Sequence, residues 1–386
     1  MNRFLRISSI YPDFLKVLKK KYDKKDESYT KTLNNIFDEM YSVSNFITQA
    51  LSKKGYNCNE IIENADFIQK KWLDEFGDKS SNDTILIQQI KYYKPNVLFL
   101  GNANIAKKNL IETIRNFDFV KIILCFHCAP FTKKILNNLN FVDGIVTCTK
   151  GYSEKIYSIT KKNVLLMRHA FPNNIDYNFT PQNRNIDISF IGSIFINTKL
   201  HNDRVDLVYK LMRNFKNSYI AINFSNKFLL QYIYYLLICI LNLKILKNFN
   251  FFLKIIYIYF FSKKPSFGKD MLSILNKTKI LINTHIKDTE YAGNMRLFEG
   301  TGSGCMLITD KKKDLDKLFI IGKEIEVFEH NYELIEKCKY YLNNYEKLKI
   351  IAEAGRTKTN NHHNYANSAF VLDKFIIKLL KNEKDL

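Results

Sequence analysis

No unbroken apolar run in this chain reaches the ~18–20 residues that a bilayer-spanning helix needs. Its most apolar stretch, Phe228 to Leu241, gives way to Asn242, Lys244 and Lys247 before a second run from Phe251 to Phe261. The opening residues, Met1-Asn2-Arg3-Phe4-Leu5-Arg6, lack the apolar h-region of a secretory signal. The seven cysteines, an odd number spread from Cys58 to Cys338, do not form a disulfide framework and fit a reducing compartment. Cys125-Phe126-His127-Cys128 has the C-x-x-C form, but no second pair completes a zinc site and Cys125 lies in an apolar strand pattern. These absences point to a cytoplasmic protein without a structural metal. Nucleic-acid motifs and internal repeats are also missing. Acidic residues are in deficit, 38 against 59 Lys and Arg, a formal charge of +21.

What is present describes a globular chain. It is 46% hydrophobic and 25% charged, and 386 residues suffice for two domains with separate cores. The lysines are scattered through every segment rather than gathered in one stripe, so nucleic acid is not an expected partner. The charge instead favours phosphate-bearing ligands and anionic membrane surfaces.

Strands alternate with helices along the whole chain. Phe4 to Ser9, Pro95 to Gly101, Lys121 to Phe126, Asp143 to Cys148 and Val164 to Met167 read as strands, with a helical pattern over 13–76. Such alternation predicts a parallel, doubly wound sheet. A polar segment with Pro181, 176–185, reads as a linker. A second cycle opens with the strand Ile186 to Ser193, where Gly192 at the strand end would let backbone approach a phosphate. A helix follows from about Asp203. Lys199 and Arg204, just beyond that turn, are either diphosphate contacts or solvated cations. The two apolar stretches at 228–261 read as a helical pair. They fit either a hairpin dipping into a membrane interface or a buried insertion, and their shortness favours burial.

The densest signal is Gly293 to Asp310. The apolar run Ile280 to His285 reads as a buried parallel strand, Asn294 to Thr301 as a short helix ended by Gly302 and Gly304, and Met306 to Thr309 as the next strand. This places a loop and a helix start at the carboxyl end of a strand, where open α/β sheets bind ligands. Free N–H groups and the helix dipole suit a phosphate. Arg296 can grip it with two bonds. Glu299, one turn on, can accept two hydroxyl bonds from a sugar diol, so phosphate and diol within a turn suggest a nucleotide. The plain alternative is a surface Arg–Glu pair on an ordinary crossover.

This segment resembles the carboxyl-terminal half of GT-B-fold glycosyltransferases, closest to the CgeB-like, spore-maturation-type group. That group has Asn-x-Arg-x-Phe-Glu, a small-residue stretch and a strand ending Thr-Asp. The likeness runs on through Leu318-Phe319, Gly322 to Ile325, Tyr340 to Leu342, Ile351 to Arg356 and His363, covering about 270–365. It departs at His363-Asn364-Tyr365, where relatives have His-Thr-x-x-x-Arg. It departs again at Tyr291, where retaining relatives carry a Glu eight residues before the diol-binding one, so stereochemistry is left open.

The resemblance implies two Rossmann-like parallel-sheet domains facing a cleft, with a carboxyl-terminal crossover helix. The domains would be 1–180 on the acceptor side and 181–365 on the donor side, with the helix at 366–386. It implies sugar transfer from a nucleotide-diphosphate sugar to a glycan, lipid-linked or protein acceptor. The donor-binding set would be Gly192, Ser193, Arg204, His285, Asn294, Met295, Arg296 and Glu299. His127, after a strand on the cleft side, would be a catalytic base or donor contact beside Arg296, or else a packing histidine. Asp314-Leu315-Asp316 has the Asp-x-Asp form of a metal site but sits at a helix start, where acids are favoured anyway. No metal or cofactor is expected, because cations and a helix dipole can stabilise the leaving diphosphate. Peripheral contact with the inner face of a membrane stays open. The rival reading is a non-catalytic GT-B-like protein docking on a membrane or glycan.

Overall fold

The structure is a computed structural model and describes residues 1–41, 44–172, 184–194, 202–224, 228–241, 245–286 and 289–384. The chain divides into two compact units. The first comprises Met1–Pro172, Phe267–Lys269 and Asn364–Leu386, and the second Asn173–Ser266 and Asp270–His363.

In the first unit the elements run β1 (Arg3–Ser8), α1 (Pro12–Tyr22), α2 (Tyr29–Asp38), α3 (Phe46–Ser52), β2 (Asn57–Ile62), α4 (Asp66–Phe76), α5 (Ile85–Tyr93) and β3 (Val97–Leu100). They continue with α6 (Lys108–Arg115), β4 (Ile122–Phe126), α7 (Lys133–Leu139), β5 (Gly144–Thr147), α8 (Lys150–Thr160) and β6 (Asn163–Leu166). The strands form one parallel sheet in the order β2-β1-β3-β4-β5-β6. Val97 to Leu100 and Ile122 to Cys125 are buried throughout, as strands covered on both faces must be. Thr84, Thr132 and Thr149 start α5, α7 and α8 by accepting a bond from the third helical N–H, the usual threonine cap.

Strand β2 corrects the helical reading of 13–76. Asn57 to Ile62 pairs in parallel with Arg3 to Ser8 at the sheet edge. Glu60 points inward, which hides the strand from a hydrophobic pattern. It is stabilised by Arg6 Nε at 2.6 Å and by the Thr48 hydroxyl, which donates to it at 2.6 Å.

The second unit holds β7 (Ile186–Ile194), α9 (Asn202–Asn214), β8 (Ser218–Phe224), α10 (Phe228–Leu241), α11 (Ile245–Phe261), α12 (Gly268–Asn276) and β9 (Thr278–Asn283). After these come α13 (Arg296–Gly302), β10 (Met306–Asp310), a 3-10 turn at Leu315–Lys317, β11 (Glu326–Phe328), α14 (Asn331–Asn343) and α15 (Tyr345–His362). Its parallel sheet has the order β11-β10-β9-β7-β8. Gly304, with φ +76, closes α13 in a conformation that only glycine adopts without cost.

The last helix, α16 (Tyr365–Lys384), belongs to the first unit. Ala369, Leu372, Phe375, Ile376 and Leu379 pack against Phe4, Val97, Leu124 and Val146 of that sheet. Gly144 permits the approach: a Cβ there would lie 2.8 Å from Leu379 and 2.9 Å from Phe375. This is the expected crossover helix.

Two readings change. Gly192 and Ser193 do not form a turn. They lie within β7 and pair with Ile222 and Asn223 of β8, and the Phe190 ring covers the space a Gly192 side chain would take. The 228–261 pair is not buried on all sides. Phe228, Phe252, Ile255 and Ile258 join the core, but Leu230, Tyr234, Phe260 and Phe261 are each more than 60% exposed. The expected linker at 176–185 falls mostly outside the described residues, as does Lys199.

Candidate functional site

The carboxyl ends of β7, β9 and β10 bring most of the expected donor-site residues onto one edge of the second unit's sheet. Asn283 ends β9. Its amide donates to Thr309 Oγ1 at 3.0 Å, and its Oδ1 accepts from Asn294 at 2.9 Å. Asn294 also donates to the Thr284 carbonyl at 3.3 Å, and its own Oδ1 accepts the Arg296 N–H at 2.9 Å. Asn294, just before the Met295 N-cap, thus satisfies the first N–H of α13. The N–H groups of Leu297 and Phe298 bond back to Asn294 and Met295 carbonyls. The expectation of a freely offered helix start is corrected here: three of its early donors are already satisfied by the chain itself, which shifts the burden of holding an anion to side chains.

Arg296 and Glu299 sit one turn apart and pair, Arg296 Nη1 to Glu299 Oε2 at 2.6 Å. Both side chains are mostly buried yet retain some exposure, 19% and 15%. Arg296 Nη1 also lies against the Met271 sulfur. Only one of the five guanidinium donors is therefore matched to the carboxylate, and Glu299 retains acceptor capacity.

Arg204 is a buried strut. Its Nε donates to Thr284 Oγ1 at 2.8 Å, Nη2 to the Thr284 carbonyl at 2.8 Å and Nη1 to the Ser193 carbonyl at 3.1 Å. It locks the end of β7 to the loop after β9. Burial pulls its pKa down to about 10, with Asp310 opposing that, so it remains a cation at neutral pH.

His285 and Asp310 form a pair that the sequence did not disclose. Asp310 Oδ1 accepts both the His285 backbone N–H, at 2.9 Å, and Nδ1, at 2.7 Å. Burial pushes the Asp310 carboxyl up, but His285 and Lys312 outweigh it and hold it below the usual carboxylate range. An ionised carboxylate only accepts, so the Nδ1 proton is fixed on the Asp310 side. His285 Nε2 is buried and, among the described residues, has no hydrogen-bond partner. The one signal in the sequence was the Thr309-Asp310 strand end, which carries no partner information. A groove of about 810 Å³ beside Asp310 is lined by Thr289, Glu290, Lys312 and Phe328 among others.

On the first unit's sheet, His127 follows β4. Its backbone N–H donates to the Val146 carbonyl and its Nε2 to the Ala129 carbonyl, each at 2.9 Å, with the ring 5.2 Å from that of Phe131. Burial pushes its pKa down, against the Ala129 bond. The proton therefore sits on Nε2, and Nδ1 is the basic atom of a neutral ring. His363, by contrast, is a packing histidine between Phe298 and Phe319, bonded to the Leu318 carbonyl. Asp314 accepts the Ala292 N–H at 2.7 Å, a structural role for the first acid of Asp-x-Asp.

The cysteine reading needs correction. Cys128 pairs with Cys148 as a disulfide, with Cα atoms 5.7 Å apart. The two stand at adjacent strand ends, after β4 and β5, and His169 after β6 joins them, all ligand atoms lying within 4.8 Å. Metals bind thiolates, so this is a ligand set only after reduction. Cys125 of the C-x-x-C is instead buried in β4 and its thiol is pushed up by burial.

Residues 261–372 match a family model described as glycosyl transferase-like. No curated protein sequence matches the chain. Solved structures align over nearly its whole length. One is the Anabaena HepE protein in complex with UDP and glucose, at 8% identity, 98% of this chain, 100% of that one and TM-score 0.61. A glycosyltransferase from Rickettsia africae gives 11%, 99%, 99% and 0.58. A sucrose-phosphate synthase from Thermosynechococcus elongatus gives 8%, 99%, 100% and 0.56. The fold is GT-B. The CgeB-like subgroup finds no separate support in these likenesses, and at such identities they speak to fold alone.

Proposed function

We propose that the protein is a glycosyltransferase that takes a nucleotide-diphosphate sugar as donor and passes the sugar to a glycan, lipid-linked or protein acceptor. The observation that carries this is the Arg296–Glu299 pair. It sits at the carboxyl edge of a parallel sheet, inside the segment matched by the glycosyl transferase-like model. Glu299 accepts the ribose diol. Arg296, released from Glu299 by the ligand, grips the diphosphate through its remaining donors. Arg204 adds a fixed buried charge at the same edge, and Gly192, Ser193, Asn294 and Met295 shape the surrounding backbone.

His285, oriented by Asp310, presents Nε2 to a hydroxyl of the donor. His127 is the base that takes the acceptor proton through Nδ1, for which a neutral ring is required. The leaving diphosphate is stabilised by Arg296, so no metal is needed. HepE has been crystallised with UDP-glucose, which makes that the first donor to try.

Isothermal calorimetry of the full chain with UDP and UDP-glucose tests the reading. Binding is expected, and Glu299→Ala should weaken it by about 1.5–3 kcal/mol, the worth of hydrogen bonds to a charged group. Transfer should persist in excess chelator. Unchanged affinity in the alanine variant would remove Glu299 from the site.

A further inference from the structure

Helices α10 and α11 are apolar on both faces. A helix of that kind is normally enclosed by protein or lipid. The inward faces are accounted for by the core of the second unit. The outward faces are not. On α10, Leu230, Ile233, Tyr234 and Leu237 follow the i, i+3, i+4, i+7 spacing of one stripe, with exposures of 51% to 68%. On α11, Phe249, Leu253 and Phe260 form a second stripe, exposed by 54% to 70%, with Phe261 beside them. Large side chains exposed contiguously on this scale mark an interaction surface.

Charge identifies the occupant. Between Phe228 and Lys264 the sequence has Lys244, Lys247, Lys254, Lys263 and Lys264, and no Asp or Glu at all. Lys254 is engaged by Asp206 at 2.6 Å, whereas Lys263 and Lys264 are exposed directly after Phe260 and Phe261. A second copy of the chain would set two acid-free, lysine-bearing faces against each other, in a protein of net charge +21. An anionic lipid surface offers what both features lack: apolar depth for the aromatic and aliphatic side chains, and phosphates for the lysines. Among the described residues no helix is long and apolar enough to cross a membrane, so the contact lies in the plane of the interface.

We infer that the α10–α11 hairpin docks the second unit onto an anionic bilayer surface, its outer stripe entering the headgroup–acyl boundary. The inference rests on the hairpin alone and stands apart from the proposed catalysis.

The test is co-sedimentation of the full chain with vesicles of phosphatidylcholine, with and without phosphatidylglycerol. Partitioning should be roughly tenfold stronger with the anionic lipid, as lysines near a charged surface require. The combined variant Leu230→Ser, Leu237→Ser, Phe260→Ser, Phe261→Ser should lose roughly tenfold or more. Its melting temperature should hold, because these side chains are exposed. Lys263→Gln with Lys264→Gln should lose a smaller part. A second readout is Phe260→Trp. Trp72 is the chain's one native tryptophan and is 1% exposed, so a blue shift and quenching by brominated lipid would report position 260. Three results would overturn the inference: no binding to either vesicle, binding unaffected by the serine variant, or a dimer in solution that the serine variant dissolves.

Discussion

The carboxyl edge of the second unit's sheet carries the ion pair Arg296–Glu299 on α13, the Asp310 carboxylate bonded to His285, and the buried cation Arg204. At the strand ends of the first unit two histidines are kept neutral. Burial lowers the pKa of His127, and burial with the neighbouring Arg168 charge takes that of His169 down to about 4. Cys128 and Cys148 are joined as a disulfide rather than held as thiolates. Both sheets are parallel and present loops at the same kind of edge, so the fold does not dictate this contrast. A charged edge is suited to gripping a polyanion, because its cations can exchange an internal carboxylate for an external one or for a phosphate. A neutral imidazole edge is suited to accepting a proton, since a histidine already charged at working pH would be no base.

The contrast can be broken most severely at Arg296. Arg296→Ala should slow transfer about 10²–10³-fold, the usual effect of removing one charge-stabilising donor, while nucleoside binding falls far less. Arg296→Lys should recover only part, since the planar fork is lost. Single-turnover rates beside calorimetric affinities check this, and full recovery with lysine would make Arg296 an ordinary surface cation.

Asp310→Asn probes the carboxylate–imidazole pair. It keeps an acceptor near Nδ1 but removes the charge that fixes the imidazole proton. Donor affinity should drop by about 1–2 kcal/mol, within the range for one hydrogen-bonded partner. An unaltered affinity for both nucleotide and nucleotide sugar would leave the pair a structural brace.

The smallest effect concerns the neutral edge. His169 titrates at about 4 in the folded chain against an ordinary value near 6.5. Between those values the unfolded chain binds the extra proton, so stability should decline as pH falls through that window. Melting curves from pH 7 to 4 should show the slope, and His169→Gln should lessen it, leaving the share of His127, which burial also lowers.

Much of this protein is legible without coordinates. Apolar runs such as Ile122 to Cys125 and Ile280 to Asn283 announce buried parallel strands, because a strand covered on both faces has no polar side to show. Apolar Phe370, Val371, Phe375, Ile376, Leu379 and Leu380 announce the final helix, but only the fold shows that Phe370 and Val371 face outward while Phe375, Ile376 and Leu379 are buried. The Arg296 to Glu299 spacing is one helical turn, a local relation that sequence always preserves. Whatever depended on distant partners stayed hidden. Glu60 gave β2 a polar look that only Arg6, on the neighbouring strand, makes tolerable in the interior. Gly192 reads as a turn residue until β8 supplies a partner and Phe190 occupies its empty side. Asp310 reaches His285, Arg204 reaches Thr284, and Cys128 meets Cys148 and His169, because strand order, and not sequence distance, sets adjacent loops side by side. Sequence determined most of the strands and helices and put Arg296 and Glu299 one helical turn apart. Tertiary structure decided which charges were paired, which donors were already satisfied and which apolar faces were left for something outside the chain to cover.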